Sequence, residues 1–152
     1  MKAETGNMRD FMHSAIDQAL KTEVRVMIRA GGQSMRPWIM DGDRLTVASC
    51  DATRLQKGEI GLYKAQDGLI TIHRVVDKDA DRCAFRGDAT SGKVEWVPHS
   101  AVSGRVESAT RNNRTIYRNT AFHRWTGRLW HLSGPLRRFI AKARRRGLPQ
   151  AQ

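Results

Sequence analysis

Apolar residues along the chain change their spacing twice. Between Asp10 and Lys21 they recur as Phe11, Met12, Ala15, Ile16 and Leu20, the three-to-four spacing of one amphipathic helix face. Val24–Ile28 then alternates apolar with polar, as a half-buried strand does, and ends at Gly31-Gly32, where the chain can turn tightly. Short strand-like runs follow: Arg44–Ala48, Ile60–Lys64, Leu69–Val76, Arg82–Arg86, Val94–Val97 and Val102–Ser108. They are separated by the turn signals Asp41-Gly42-Asp43, Lys57-Gly58-Glu59, Gln66-Asp67-Gly68 and Gly87-Asp88. Many short strands with frequent turns predict an antiparallel, barrel-like, mainly β domain with added helix, an α+β chain. Helical spacing returns late, at Phe122, Trp125, Leu129 and Leu132, and again after Gly134-Pro135 at Leu136, Phe139, Ile140 and Ala143. The pattern divides the chain into an N-terminal helix (1–22), a β domain (23–110) and a helical tail (111–152).

Charge sharpens that division. The 152 residues carry a formal +12, yet residues 1–110 hold 16 Lys and Arg against 15 Asp and Glu. Residues 111–152 hold 11 basic residues and no acid. Basicity is therefore a property of the tail, and it predicts contact with a polyanion or an acidic partner. A basic face opposite Trp and Phe at helical spacing suits a helix lying on an anionic membrane surface. The plainer readings are a helical pair packed on the barrel with its charges solvated, or a docking segment for an acidic protein. Nucleic acid is not favoured, because the aromatic residues follow the helix period rather than a stacking platform.

Cys50 and Cys83 are far apart and in no metal-ligand spacing, so neither a disulfide framework nor a metal site is expected, and no cofactor motif is seen. No run approaches the roughly 18 apolar residues of a membrane-spanning helix, and residues 1–30 are too interrupted by charge for a secretory signal. The expectation is a cytoplasmic chain, peripheral at most on the inner face of a membrane.

The chemistry-bearing candidates are Ser34, within Gly31-Gly32-Gln33-Ser34-Met35-Arg36-Pro37, and His73, within Ile72-His73-Arg74. A serine hydroxyl is a weak nucleophile until a base takes its proton, and a neutral imidazole with an ordinary pKa near 6.5 suits that task. Taken alone, each has a plainer reading: a serine beside glycines is usually a turn residue, and a strand histidine is usually structural.

The boxes around them lift the pair above that reading. Gln33-Ser34-Met35-Arg36-Pro37-Trp38-Ile39-Met40-Asp41-Gly42-Asp43, then Lys57-Gly58-Glu59-Ile60, His73-Arg74-Val75-Val76, Arg86-Gly87-Asp88 and Val102-Ser103-Gly104-Arg105-Val106 resemble, in this order, the boxes of type I signal peptidases and the LexA-like peptidases related to them. The similarity runs from about residue 30 to about residue 106. His73-Arg74 is similar to the histidine-base, endoplasmic-reticulum-type branch, where other members use lysine.

The resemblance implies a β-rich peptidase in which Ser34 attacks a peptide carbonyl and His73 is the base. Asp88 is the first choice for the acid that orients the imidazole. Glu95 is the substitute, since the stretch after Gly87-Asp88 contains no further aspartate. The Ser34 N–H, and the Gln33 side chain as an added donor, would stabilise an oxyanion. Met35 and Pro37 would shape the turn and the substrate groove. Arg74 is expected in an ion pair with Asp43 or Asp88, and Asp43 as a turn former. The substrate would be a peptide or protein. A LexA-like processing peptidase, or a silent relative acting as a binding module, are the alternatives.

Overall fold

The computed structural model describes residues 11, 14–22, 25–89 and 93–132. A short helix, α1 (residues 14–21), leads into eight strands: β1 (Val26–Arg29), β2 (Arg44–Ala48), β3 (Ile60–Lys64), β4 (Ile70–Lys78), β5 (Arg82–Arg86), β6 (Glu95–Pro98), β7 (Val102–Arg111) and β8 (Arg114–Arg118). Helix α2 (Ala121–Leu132) follows. All pairings are antiparallel, in the order β1-β2-β7-β3-β4-β5-β6, with β8 on β7.

The expected barrel is not closed. β7 divides its ten residues among β2, β3 and β8, so the sheet branches there instead of joining β1 to β6. Register shifts at Thr46/Val47, Leu62/Tyr63 and Val75/Asp77 mark bulges, which bend strands and re-aim side chains.

The boundary expected between residues 110 and 111 falls inside the β7–β8 hairpin. Asn112 and Asn113 make its turn with φ of 49° and 60°, the positive pair that a two-residue I′ hairpin requires and that Asn tolerates better than most residues. Tyr117 on β8 is buried in the same cluster as its cross-strand partner Ala109. The tail therefore begins as sheet, and the helix starts only after Thr120, whose hydroxyl accepts from the His123 N–H (3.4 Å). Residues 133–152, with the second predicted helical run, lie outside the described residues.

β3 explains how one sheet supports two cores. Its first four residues are buried, and the strand period sends Ile60 and Leu62 to one face and Gly61 and Tyr63 to the other. Ile60 and Leu62 pack with Leu20 of α1, Met35, Ile39, Leu45, Val47, Val106 and Tyr117. Tyr63 packs with Leu55, Val75, Cys83, Phe85 and Val97. Cys83 is buried within that second core, Cys50 is half-buried beside it, and both thiols are free.

Candidate active site

The loop carrying Ser34 joins β1 to β2 and is closed at its base by backbone bonds. The Ala30 N–H donates to Asp43 O (2.8 Å) and the Gly42 N–H to Ala30 O (2.9 Å). Gly32 and Gly42 both have φ near +83°, a left-handed conformation open to glycine at little cost. The Asp41 carboxylate accepts from the Gly32 N–H (2.9 Å) and that of Asp43 from the Met40 N–H (2.7 Å). Arg111 of β7 grips Asp43 with two bonds of 2.8 Å. From below, Met35 and Ile39 are sunk in the core at 3% and 2% exposure. A loop fixed by two apolar anchors and these bonds presents Ser34, partly exposed, at its turn, and the Ala89 N–H ties Ser34 O to the opposite loop (2.7 Å).

The strand period brings the partners to that turn. Gly61 faces His73 across β3 and β4, and Glu95 faces Phe85 across β6 and β5. Tyr63, His73 and Glu95 therefore project from one face. His73 Nε2 lies 3.1 Å from Ser34 Oγ, and His73 Nδ1 lies 2.9 Å from the Tyr63 hydroxyl. That hydroxyl donates to Glu95 Oε2 (2.9 Å), while Glu95 Oε1 accepts from the Gln66 N–H (3.1 Å).

This chain fixes the protons. Tyr63 has one, and it points to the Glu95 carboxylate. The phenol oxygen can then only accept from His73, which requires the proton on Nδ1 and leaves the Nε2 lone pair facing Ser34 Oγ. That is the tautomer a general base needs. Burial lowers the His73 pKa below its ordinary value, with Glu95 and Asp88 opposing it in part, so the imidazole is neutral at neutral pH. Burial and the bond to Glu95 push Tyr63 far above the ordinary phenol range, so it keeps its proton. The Tyr63 ring is stacked on Phe85 at 4.2 Å between centroids. The stack needs Gly61, where a methyl group would come within 2.7 Å of the Phe85 ring.

Asp88 has a different task. It is fully buried and accepts two bonds from Arg74 (2.9 and 2.7 Å) and one from His131 Nε2 (2.8 Å). The His131 proton is fixed as well, because Arg86 donates to Nδ1 (2.9 Å) and Nε2 must be the N–H. Burial alone would raise the Asp88 carboxyl, but Arg74 and His131 outweigh it and hold it below the ordinary carboxylate range. Arg74 also donates to Gly58 O (2.7 Å) and lies against Gly127 of α2, where a methyl group would meet its guanidinium at 2.5 Å. Trp130 Nε1 donates to Asp88 O (2.9 Å). The first tail helix is thus seated on the Arg74–Asp88 pair.

Of the residues singled out in the sequence, Ser34, His73 and Glu95 are brought together, with Tyr63 between the last two. Asp88, expected first as the orienting acid, has its carboxylate committed to Arg74 and His131, and the Tyr63 hydroxyl stands at His73 Nδ1 instead. Met35 is a core anchor rather than part of a groove, Pro37 is exposed in a cis Arg36–Pro37 unit, and Gln33 is exposed. The Ser34 N–H has no hydrogen-bond partner among the described residues. Glu59 of the Gly-Glu-Ile box is buried and accepts from the Gln56 N–H and Asn119 Nδ2. The Tyr63 hydroxyl and the partner of His131 are not expected from the sequence. A tyrosine on a strand buried on both faces needs a partner for its hydroxyl, a signal present in the sequence. His131 pairs across 43 residues with Asp88, and nothing local announces it. Compared with known proteins, the chain matches no family model and no curated protein.

Proposed function

We propose that the chain is a serine endopeptidase of the signal peptidase and LexA-like kind, with Ser34 as nucleophile and His73 as base. One observation carries the reading: Nε2 of a neutral, tautomer-fixed imidazole stands 3.1 Å from a partly exposed serine hydroxyl. The ordered boxes between residues 30 and 106 support the family assignment, and an open antiparallel sheet with the serine loop after its first strand is consistent with it.

In the reaction, Ser34 Oγ bonds to the carbonyl carbon of the scissile peptide while its proton passes to Nε2. The Ser34 N–H donates to the developing oxyanion. As the C–N bond breaks, the imidazolium gives that proton to the leaving amine. Water, deprotonated by the same nitrogen, then hydrolyses the ester and restores Ser34. Glu95 acts through Tyr63, stabilising the imidazolium across an intervening hydroxyl.

Incubation with peptides of leader or signal type tests the proposal. Wild type cleaves, while Ser34→Ala and His73→Ala, folded to the same melting temperature, do not. A chain that cleaves none of them, and whose Ser34 resists a serine-reactive phosphonate, is a binding module instead.

A further inference from the structure

Helix α2 is turned inside out. A surface helix normally lays its apolar stripe on the core and leaves polar residues in water. Here the side facing the domain carries Gly127, Trp130 and His131, because what lies beneath is the Arg74–Asp88 ion pair, which demands close approach and hydrogen-bonding partners. The apolar stripe is left outside: Phe122, Trp125 and Leu129 are 69%, 61% and 44% exposed. Three large apolar side chains on one side of one helix form a patch of the kind that marks an interaction surface.

The composition of the segment that carries the patch chooses its occupant. All 42 residues from Arg111 onward lack a single acid and include 11 basic residues, so a second copy of this segment would be repelled. The same mixture continues in the sequence, with Leu136, Phe139 and Ile140 among Arg137, Arg138, Lys142, Arg144, Arg145 and Arg146. Aromatic and aliphatic side chains interleaved with cations match an anionic bilayer surface, which offers acyl boundary to the first and headgroup phosphate to the second. Among the described residues no helix is long and apolar enough to cross a membrane, and this geometry needs none.

We propose that α2 is an interfacial membrane-docking helix that holds the chain on anionic lipid through Phe122, Trp125 and Leu129. It is seated on Asp88, and the adjacent Ala89 N–H holds the Ser34 carbonyl. Docking through α2 therefore fixes the Ser34 loop relative to the lipid surface. The inference stands independently of the peptidase reading.

Flotation of the full chain with vesicles tests it, using phosphatidylcholine alone and phosphatidylcholine mixed with phosphatidylglycerol. Wild type floats with the mixed vesicles and not with the neutral ones. The triple variant Phe122→Ser, Trp125→Ser, Leu129→Ser, altered only at exposed positions, partitions at least about tenfold more weakly. If its thermal melt also falls, Trp125→Ala alone carries the comparison. Three results overturn the proposal: wild type that stays unbound, apolar variants that float as wild type does, which would leave charge alone as the cause, or equal flotation with both vesicle types.

Discussion

Replacing Tyr63 with Phe removes one oxygen from the centre of the site and leaves nearly everything else in place. The ring keeps its stack on Phe85 and its place in the second core. Glu95 keeps the Gln66 N–H and is partly exposed, so water can replace the lost donor. The stability cost is that of one buried hydrogen bond, about 1 kcal/mol. The chemical cost is larger, because His73 Nδ1–H loses its acceptor at the moment the ring becomes charged. A hydrogen bond to a charged group contributes about 1.5–3 kcal/mol. Near 1.4 kcal/mol per factor of ten, its loss slows the reaction of Ser34 by roughly 10- to 100-fold.

The assay needs no known substrate: it is the second-order rate of Ser34 modification by a fluorophosphonate, followed by intact mass. The sign of the accompanying pH effect is also fixed. Losing an acceptor destabilises the imidazolium more than the neutral ring, so the His73 pKa falls and the acid limb of the rate profile moves to lower pH. A Tyr63→Phe variant with wild-type rate and an unmoved acid limb would refute the proton assignment.

Other consequences follow from the same contacts. In wild type, burial holds the His73 pKa below its ordinary value, so the modification rate stays level at neutral pH and is lost as pH falls through a value below about 6.5; a titration limb above pH 7 would contradict this. Asp88→Asn leaves the Arg74 guanidinium, 1% exposed, without its counter-charge. It lowers unfolding free energy by about 3–5 kcal/mol in urea titration, and a change under about 1 kcal/mol would remove the pair from its structural role. Gly61→Ala places a methyl group within 2.7 Å of the Phe85 ring; by overpacking it costs about 1–3 kcal/mol and, by shifting Tyr63, slows Ser34 modification as well. A Gly61→Ala variant with unchanged melt and rate would show that the ring can move aside freely.

How far the sequence could be read depends on which contacts were local. β2, β3 and β5 begin and end at the residues their alternation and flanking turns predict. β8 is not legible in the sequence because only Ile116 and Tyr117 of its five residues are apolar and Arg114 and Arg118 flank them, too short a run to show an alternation. The helix at Phe122–Leu132 was legible, but not which side it would bury. An apolar stripe predicts the inner face only when the surface beneath is apolar, and beneath α2 lies an ion pair. Ser34 and His73 were legible as a candidate pair, and the fold places them 3.1 Å apart. The route from His73 to Glu95 was not, since a spacing along the chain carries no record of the hydroxyl that register and the Phe85 stack place between them. Asp88 sits in a box that suggests catalysis, and long-range partners on β4 and α2 give it a structural charge to balance instead.

Whether His73 activates Ser34 is decided by mapping a fluorophosphonate adduct at neutral pH. One adduct per chain is expected, located on Ser34, absent in Ser34→Ala and formed at least about 100-fold more slowly in His73→Ala. A wild-type chain that acquires no adduct at Ser34, or a His73→Ala chain modified as fast as wild type, would show that the two residues are neighbours without being a nucleophile and its base.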